Sequence, residues 1–145
     1  MGTADLATRE LITRDFSSSM AEKLEPELIE EAVQRIRAAT ASYPATGSVV
    51  SFIFYLQFQV TVKGGKTFNG KAGGVSTPGG GALIGDVYTD DLEALYANTV
   101  SFEFNATPVY TSLLFFDGSS KLLGHFQAGA VSIVAGLGGG SGDWS

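Results

Sequence analysis

Large apolar side chains recur at every second position through one long stretch near the middle of the chain. The series consists of Phe52, Phe54, Leu56, Phe58, Val60 and Val62. Because successive side chains of a β-strand point to opposite faces, this alternation predicts a long strand from residue 51 to residue 62 with one strongly apolar face. Such a face must be buried, which restricts the chain to folds in which a sheet is covered or closes on itself.

Similar segments follow, separated by short glycine-rich turns such as Lys63-Gly64-Gly65-Lys66. We expect further strands over residues 67–72, 82–88, 100–105, 109–116, 121–128 and 130–135, a loop at 73–81, a hinge at Gly129, and a glycine run at 138–142 before a last short strand near Trp144. Seven or eight strands with this spacing favour a sandwich or a barrel. Closure removes the aggregation-prone edges of so apolar a sheet. We therefore predict a mainly β, closed antiparallel barrel filled by its own phenylalanine and leucine side chains.

Two segments of the chain have helical rather than strand patterns. Residues 90–97 predict a short helix that plugs or crosses one end of a sheet, with Asp90 as its N-cap and Glu93 in its first turn. More than half of the charged residues precede residue 43, whereas all but one of the glycines lie from Gly47 onward. This shift divides the chain into a helical or partly disordered leader, residues 1–42, and a β-barrel domain, residues 43–145. Within the leader, an imperfect apolar stripe over residues 4–16 and a clearer amphipathic pattern from Pro26 predict helix.

Composition excludes several classes of function. A net charge of −6 argues against binding to nucleic acid, which requires a basic surface. The chain has no cysteine, so disulfides and thiolate metal sites are excluded. No apolar run approaches the roughly 20 residues of a transmembrane helix, and no signal peptide is visible at the start of this sequence.

Candidate catalytic and metal-binding residues are few. His125 is the single histidine, and no nucleophile motif accompanies it. Alternation places it on the opposite face from Phe126, as a surface or hydrogen-bonded strand residue, and a pH-sensing role is the alternative. The acidic cluster of Asp86, Asp90, Asp91 and Glu93 fits no calcium loop, and the glycine runs lack the spacing of phosphate loops. We expect no catalytic residue, no metal site and no cofactor, and hence no enzyme.

Some large side chains alternate onto the face opposite the predicted core. They are Ile53, Tyr55, Val109, Leu113 and Phe115. A contiguous apolar patch on the surface would mark a contact site, so we predict that these residues form a contact surface. The alternative is that the leader helix or a crossing strand covers them.

Several sequence blocks together resemble one protein family. They are the loop Ala72–Ala82, Thr89-Asp90-Asp91-Leu92, Leu95-Tyr96, Asn98–Phe102, Phe115-Phe116-Asp117, Leu123–Gly129, Gly138–Gly142 and Trp144. Their order and content resemble the Vap family, the virulence-associated proteins that intracellular actinobacterial pathogens secrete. The resemblance covers roughly residues 43–144. It implies a compact eight-stranded Greek-key barrel behind a variable N-terminal segment, a mature form whose signal peptide has been removed, and no established catalytic residues.

The resemblance also implies a role in the host. Family members are linked to survival inside phagocytic vacuoles, and one is implicated in disturbing lysosomal membranes. We therefore expect a secreted, non-enzymatic protein that acts in the host vacuole through contact with membrane lipid or a host protein, as a monomer and without nucleic acid. The alternative is a β-barrel that binds a small hydrophobic ligand, which requires an open interior. Because the pI is about 4.6, acidification would also weaken repulsion from anionic lipid.

Overall fold

A computed structural model describes residues 41–73, 76–107, 109–132 and 134–145, together with Arg14 and residues 26–27, 29–30 and 33–34 of the leader. In this part of the chain there are eight strands and one helix with defined bounds. The strands are β1 (Ser42–Ser51), β2 (Tyr55–Val62), β3 (Thr67–Gly73), β4 (Gly79–Tyr88), β5 (Ser101–Thr107), β6 (Tyr110–Phe116), β7 (Leu122–Ser132) and β8 (Gly136–Trp144). Helix α1 (Leu92–Asn98) connects β4 to β5.

The strands form one closed barrel in the order β1-β2-β3-β8-β5-β6-β7-β4. Every neighbouring pair is antiparallel. Around the barrel, β4-β1-β2-β3 and β8-β5-β6-β7 each have the spatial order of a Greek key, in which the fourth strand returns beside the first. The predicted closed eight-stranded antiparallel barrel is confirmed.

The strand register assigns each connection to one end of the barrel. Ser51 pairs with Gly79, Tyr55 with Gly73, Gly81 with Ser132, and Ala106 with Gly136. The β1–β2, β3–β4, β5–β6 and β7–β8 connections therefore share one end. The β2–β3 and β6–β7 turns, helix α1 and the C-terminus lie at the opposite end.

The predicted long strand over residues 51–62 is wrong, because residues 52–54 form a hairpin turn between β1 and β2. The last paired residues are Ser51 and Leu56, and the amide of Phe52 donates a hydrogen bond to the carbonyl oxygen of Tyr55 at 2.7 Å. Turns usually contain glycine, asparagine or proline, whereas this one consists of large apolar residues that continue the alternation. The sequence pattern therefore passes through the turn without a break.

Glycine-rich segments of the sequence form strands more often than we predicted. The run at 138–142 lies within β8, and Gly129 lies within β7 rather than at a hinge. A Cβ at Gly140 would overlap the carbonyl oxygen of Lys71 on β3. Glycine thus permits β3 and β8 to approach closely, a role that strand patterns based on side chains do not detect.

The barrel interior is filled by aromatic rings. Phe58, Phe68, Phe102, Phe104 and Phe115 are almost completely buried, and neighbouring rings lie about 5 Å apart in tilted or edge-to-face arrangements. Gly70 and Gly142 face this cluster, because a Cβ on either would lie within 2.8 Å of a phenylalanine ring. The interior has the filled character that the sequence predicts.

Helix α1 closes the end of the barrel opposite the β1–β2 hairpin. Its N-cap is Asp91 rather than the predicted Asp90, since the Asp91 carboxylate accepts a hydrogen bond from the Ala94 amide at 3.0 Å. Leu95 is fully buried, and the ring of Tyr96 lies 5.2 Å from that of Trp144. The predicted helix and its position as a plug are therefore confirmed, with its cap displaced by one residue.

The described leader residues have helical backbone conformation. Ile29 and Val33 are half-buried, whereas Pro26, Glu27 and Glu30 are exposed, as the amphipathic pattern predicts. The remaining leader residues, including all but Arg14 of the stripe predicted over 4–16, lie outside the described residues. The first strand begins at Ser42.

Candidate functional site

Exposed apolar side chains are concentrated at the end of the barrel that carries the β1–β2 hairpin. We call this set the apolar end; it consists of Val50, Phe52, Ile53, Phe54, Tyr55, Val109 and Leu137. Phe54 is 70% exposed, Phe52 59% and Val109 76%. Among the described residues, Ile84 and Val100 are the other exposed large hydrophobic side chains. A contiguous apolar surface of this kind on a protein usually marks an interaction site.

The segments that connect the strands at the apolar end also contain no charged residue. The four segments that join strands there, residues 52–54, 74–78, 108–109 and 133–135, contain no Asp, Glu, Lys or Arg. Charged residues instead occupy the connections at the opposite end: Lys63, Lys66, Asp90, Asp91, Glu93, Asp117 and Lys121. The barrel is therefore polar at one end and apolar at the other.

The hairpin tip, residues 52–54, is held by internal hydrogen bonds. The Ile53 amide donates to Ser51 Oγ at 3.3 Å, and the Ile53 carbonyl oxygen accepts from the Ser76 amide at 2.8 Å. The hydroxyls of Ser51 and Ser76 lie 2.6 Å apart in a buried hydrogen bond. These bonds tie the hairpin to the β3–β4 connection and fix the direction in which the two phenylalanines project.

Ile53 has an unfavourable backbone conformation. Its φ is 79°, in the left-handed region that a β-branched residue rarely adopts. Such a conformation costs about 1–3 kcal/mol and persists where the surroundings enforce it, often at functional sites. The chain therefore presents an exposed isoleucine at a position that glycine or asparagine would occupy with less strain.

Of the five residues predicted to form a contact surface, three are exposed and two are buried. Ile53, Tyr55 and Val109 are exposed at the apolar end, whereas Leu113 and Phe115 are fully buried in the barrel interior. Alternation alone could not show which residues of β6 face the interior, because every residue from Thr111 to Phe116 is buried. The sequence interpretation also missed Phe52 and Phe54, which it assigned to the core. Their exposed hairpin could have been found only by recognising a turn without turn residues.

His125 lies on the outer side of the barrel wall, opposite the interior, as predicted. It is 2% exposed, so of the two predicted environments, surface or hydrogen-bonded, it has the hydrogen-bonded one. Its ring stacks on Tyr88 with centroids 5.1 Å apart. Gln127 accepts a hydrogen bond from Tyr110 Oη at 2.6 Å, and its amide nitrogen lies 2.9 Å from Ser112 Oγ and 3.0 Å from His125 Nδ1. His125 is thus part of a buried hydrogen-bonded network on strands β6 and β7.

The acidic residues of the barrel domain that the structure describes do not gather into a metal site. Asp91 caps helix α1, and within the described ranges no three His, Asp or Glu side chains come close enough together to hold a metal ion. Cavities occur beside the barrel wall and at the polar end. One of about 600 Å³ lies on the outer wall beside Asn69, Lys71 and Ser141, and one of about 90 Å³ lies near Tyr88 and Asp90 at the polar end. Both lie outside the aromatic-filled barrel interior.

Comparison with known proteins identifies the group to which this barrel belongs. A family model described as "Rhodococcus equi virulence-associated protein" matches residues 3–145. The chain belongs to this virulence-associated protein (Vap) family. No curated protein sequence matches the chain.

Two solved structures of Vap proteins from the intracellular pathogen Rhodococcus equi have the same fold. VapD is 44% identical, with a TM-score of 0.70 over 72% of this chain and 97% of its own. VapB is 48% identical, with a TM-score of 0.69 over 72% of this chain and 96% of its own. Nearly the whole of each solved Vap chain therefore corresponds to part of this one. Within the described residues, no helix has the length and apolar character needed to span a bilayer.

Proposed function

We propose that this Vap protein is secreted, has no enzymatic activity, and acts inside the host phagocytic vacuole through direct contact of its apolar end with a membrane or a host protein. The observation that carries the proposal is the concentration of exposed Phe52, Ile53, Phe54, Val109 and Leu137 at a barrel end whose connections lack charge. Contiguous exposed apolar side chains on a barrel end of this kind usually mark a surface that a partner covers.

The magnitudes are adequate for binding. Complete burial of a fully exposed Phe or Ile side chain contributes about 1.5–3 kcal/mol. Because the three tip residues are only 42–70% exposed, together they contribute roughly 3–5 kcal/mol. This is comparable with the lower estimates of the free-energy cost of association, about 4–15 kcal/mol. Rigid attachment of the hairpin through Ser51 and Ser76 reduces the additional cost of ordering it on binding.

The chemistry of the described side chains supports a contact function rather than catalysis. His125 is buried, stacked on Tyr88 and hydrogen-bonded to Gln127, and Asp91 is engaged as a helix cap. The aromatic rings that fill the barrel argue against the alternative, a barrel that carries a small hydrophobic ligand in its interior, because that function needs an open interior.

The proposal is tested with membranes isolated from macrophage phagocytic vacuoles, which retain both lipids and proteins. The double variant Phe52→Ser/Phe54→Ser should bind at least about tenfold more weakly than the wild type, since two exposed rings are removed. Val100→Ser is the matched control, because Val100 is 50% exposed and adjoins helix α1 at the polar end. Equal binding by all three proteins would contradict the proposal.

A further inference from the structure

The geometry points to a lipid bilayer as the partner of the apolar end, with the hairpin tip inserted into the interfacial region and no requirement for anionic lipid or acidic pH. This inference rests on the proposed function, and it chooses lipid over a host protein as the partner. Four features of the barrel carry it: the backbone hydrogen bonds of the tip, the distribution of charge, the positions of the aromatic rings, and the strain at Ile53.

Three backbone polar groups of the tip have partners within the protein, where they would otherwise need water. The amides of Phe52 and Ile53 donate to Tyr55 and Ser51, and the carbonyl oxygen of Ile53 accepts from Ser76. A protein partner could supply such hydrogen bonds itself, whereas the apolar part of a bilayer cannot, and each unsatisfied group there costs several kcal/mol. A hairpin that satisfies these groups internally is suited to the apolar environment.

The distribution of charge also favours an uncharged lipid surface as the partner of the tip. The eight residues of β2 span roughly 25 Å between the tip and Lys63, which is about three Debye lengths at physiological ionic strength. The charges at the polar end are therefore screened from a surface that touches the tip. Among the described residues, two charged side chains lie nearer, on the barrel wall: Lys71, two residues before the end of β3, and Glu103 in the middle of β5.

The aromatic side chains of the tip are arranged as expected for residues that lie at the interface between a membrane and water. Phe52 and Phe54 flank Ile53 at the tip, and Tyr55 begins the strand directly behind them, 37% exposed, with its ring 5.9 Å from that of Phe52. Tyrosine is enriched where hydrocarbon meets water, because its ring is apolar and its hydroxyl is polar. The rings therefore run from apolar at the tip to amphipathic at its base.

The strain at Ile53 supplies an independent reason for a hydrophobic partner. A solvent-exposed turn has no need of isoleucine at a φ of 79°, since glycine or asparagine adopts this conformation with less strain. Isoleucine adds exposed apolar area between the two phenylalanines of the turn. This gain appears only if the tip is transferred out of water.

The inference makes a prediction that differs from one based on net charge. A net charge of −6 opposes anionic lipid at neutral pH and predicts that acidification promotes binding. By contrast, the tip contains no carboxylate and no histidine, so we expect its insertion into neutral phosphatidylcholine to be the same at about pH 7 and about pH 5. Adding phosphatidylserine should change the affinity by less than about fivefold, the effect of a single nearby charge such as Lys71.

The test uses protein-free vesicles of phosphatidylcholine, with or without phosphatidylserine, and measures co-sedimentation at both pH values. We expect the wild type and Val100→Ser to bind under all conditions, and Phe52→Ser/Phe54→Ser to lose binding by at least about tenfold. Binding that needs phosphatidylserine or acidic pH would overturn the inference. So would the same affinity for the double variant as for the wild type.

A fluorescent reporter checks that the tip itself enters the bilayer. Trp144 is buried among the core rings at the polar end, so it cannot report docking and serves as an internal reference. Phe54→Trp places a second tryptophan at the tip, and brominated phosphatidylcholine should quench it while leaving Trp144 unaffected. An unquenched tryptophan at position 54 would overturn the inference.

The outcomes separate this inference from the proposed function on which it rests. If tip-dependent binding occurs with vacuolar membranes but not with protein-free vesicles, the partner is a host protein; the lipid inference then fails and the proposed function stands. If the tip substitutions change binding neither to vacuolar membranes nor to protein-free vesicles, both the lipid inference and the proposed function fail.

Discussion

At the scale of single residues, Ile53 gives up stability at a position that we assign to function. Replacing it by glycine should raise the free energy of unfolding by about 1 kcal/mol, because the positive φ of 79° is no longer strained. The matched control is Ile84→Gly, an exposed isoleucine within β4, which should lower stability by about 1 kcal/mol. Denaturant unfolding measures both. A loss of stability in Ile53→Gly equal to that in Ile84→Gly would show that Ile53 is not strained.

The buried network around His125 leads to a second prediction at this scale. Gln127→Ala removes the hydrogen-bond partner that Gln127 provides to Tyr110, Ser112 and His125, and should lower the free energy of unfolding by about 2 kcal/mol or more. Gln59→Ala is the control, since Gln59 bonds Asn69 on the exposed wall of the barrel. Its effect should stay within about 0.5 kcal/mol. Similar losses for the two variants would contradict the structural role of the network.

The sequence allowed only part of this residue-scale description. Alternation placed His125 opposite Phe126 correctly, because the side chains of a strand point to its two faces in turn. Alternation could not show whether Leu113 and Phe115 point into the barrel or away from it. Both faces of β6 are buried, so polar residues do not mark an outer face. Nor could alternation assign Phe52 and Phe54, whose apolar character is the same in a core and at a contact surface.

At the scale of secondary-structure elements, glycine sets the distance between strands. A Cβ at Gly85 of β4 would overlap the carbonyl oxygen of Gln127 and lie 2.7 Å from the Cα of Ala128 on β7. Gly85→Ala should therefore separate these strands and destabilise the barrel by about 3 kcal/mol. Gly73→Ala should be tolerated, because a Cβ there meets nothing within 4 Å. Thermal unfolding of the two variants tests this, and equal melting temperatures would contradict it.

Elements with conventional signals were predictable, and those without them were not. The turn at residues 63–66 contains Gly64 at a φ of 73°, and helix α1 has an acidic cap, so both followed from local residue preferences. By contrast, the β1–β2 turn lacks turn residues, and five of the nine residues of β8 are glycine. In these two places tertiary contacts, the Ser51–Ser76 bond and the close approach of Lys71 to Gly140, replace the local signal.

At the scale of the whole molecule, barrel closure was predictable from an apolar sheet that must avoid open edges, whereas strand order was not. The order β4-β1-β2-β3 depends on which strands pair across the connections at residues 74–78 and 133–135, and alternation contains no information on that pairing. The Greek-key order came from the family resemblance. The separation of a charged end from an apolar end also becomes visible only when distant segments are brought together.

Closure with one continuous core predicts that the barrel unfolds as a unit. The Trp144 ring contacts Phe68 of β3, Phe115 of β6 and Tyr96 of helix α1, with centroids 5.2–5.5 Å apart, so its environment depends on strands from both Greek keys. Trp144 fluorescence and far-ultraviolet circular dichroism should therefore follow the same denaturant transition, with one midpoint. In Phe54→Trp the new tryptophan lies at an exposed position of the folded barrel, so the midpoint of unfolding should be the same as in the wild type. Two separate transitions would mean that each Greek key is stable alone, and that the aromatic cluster does not couple them.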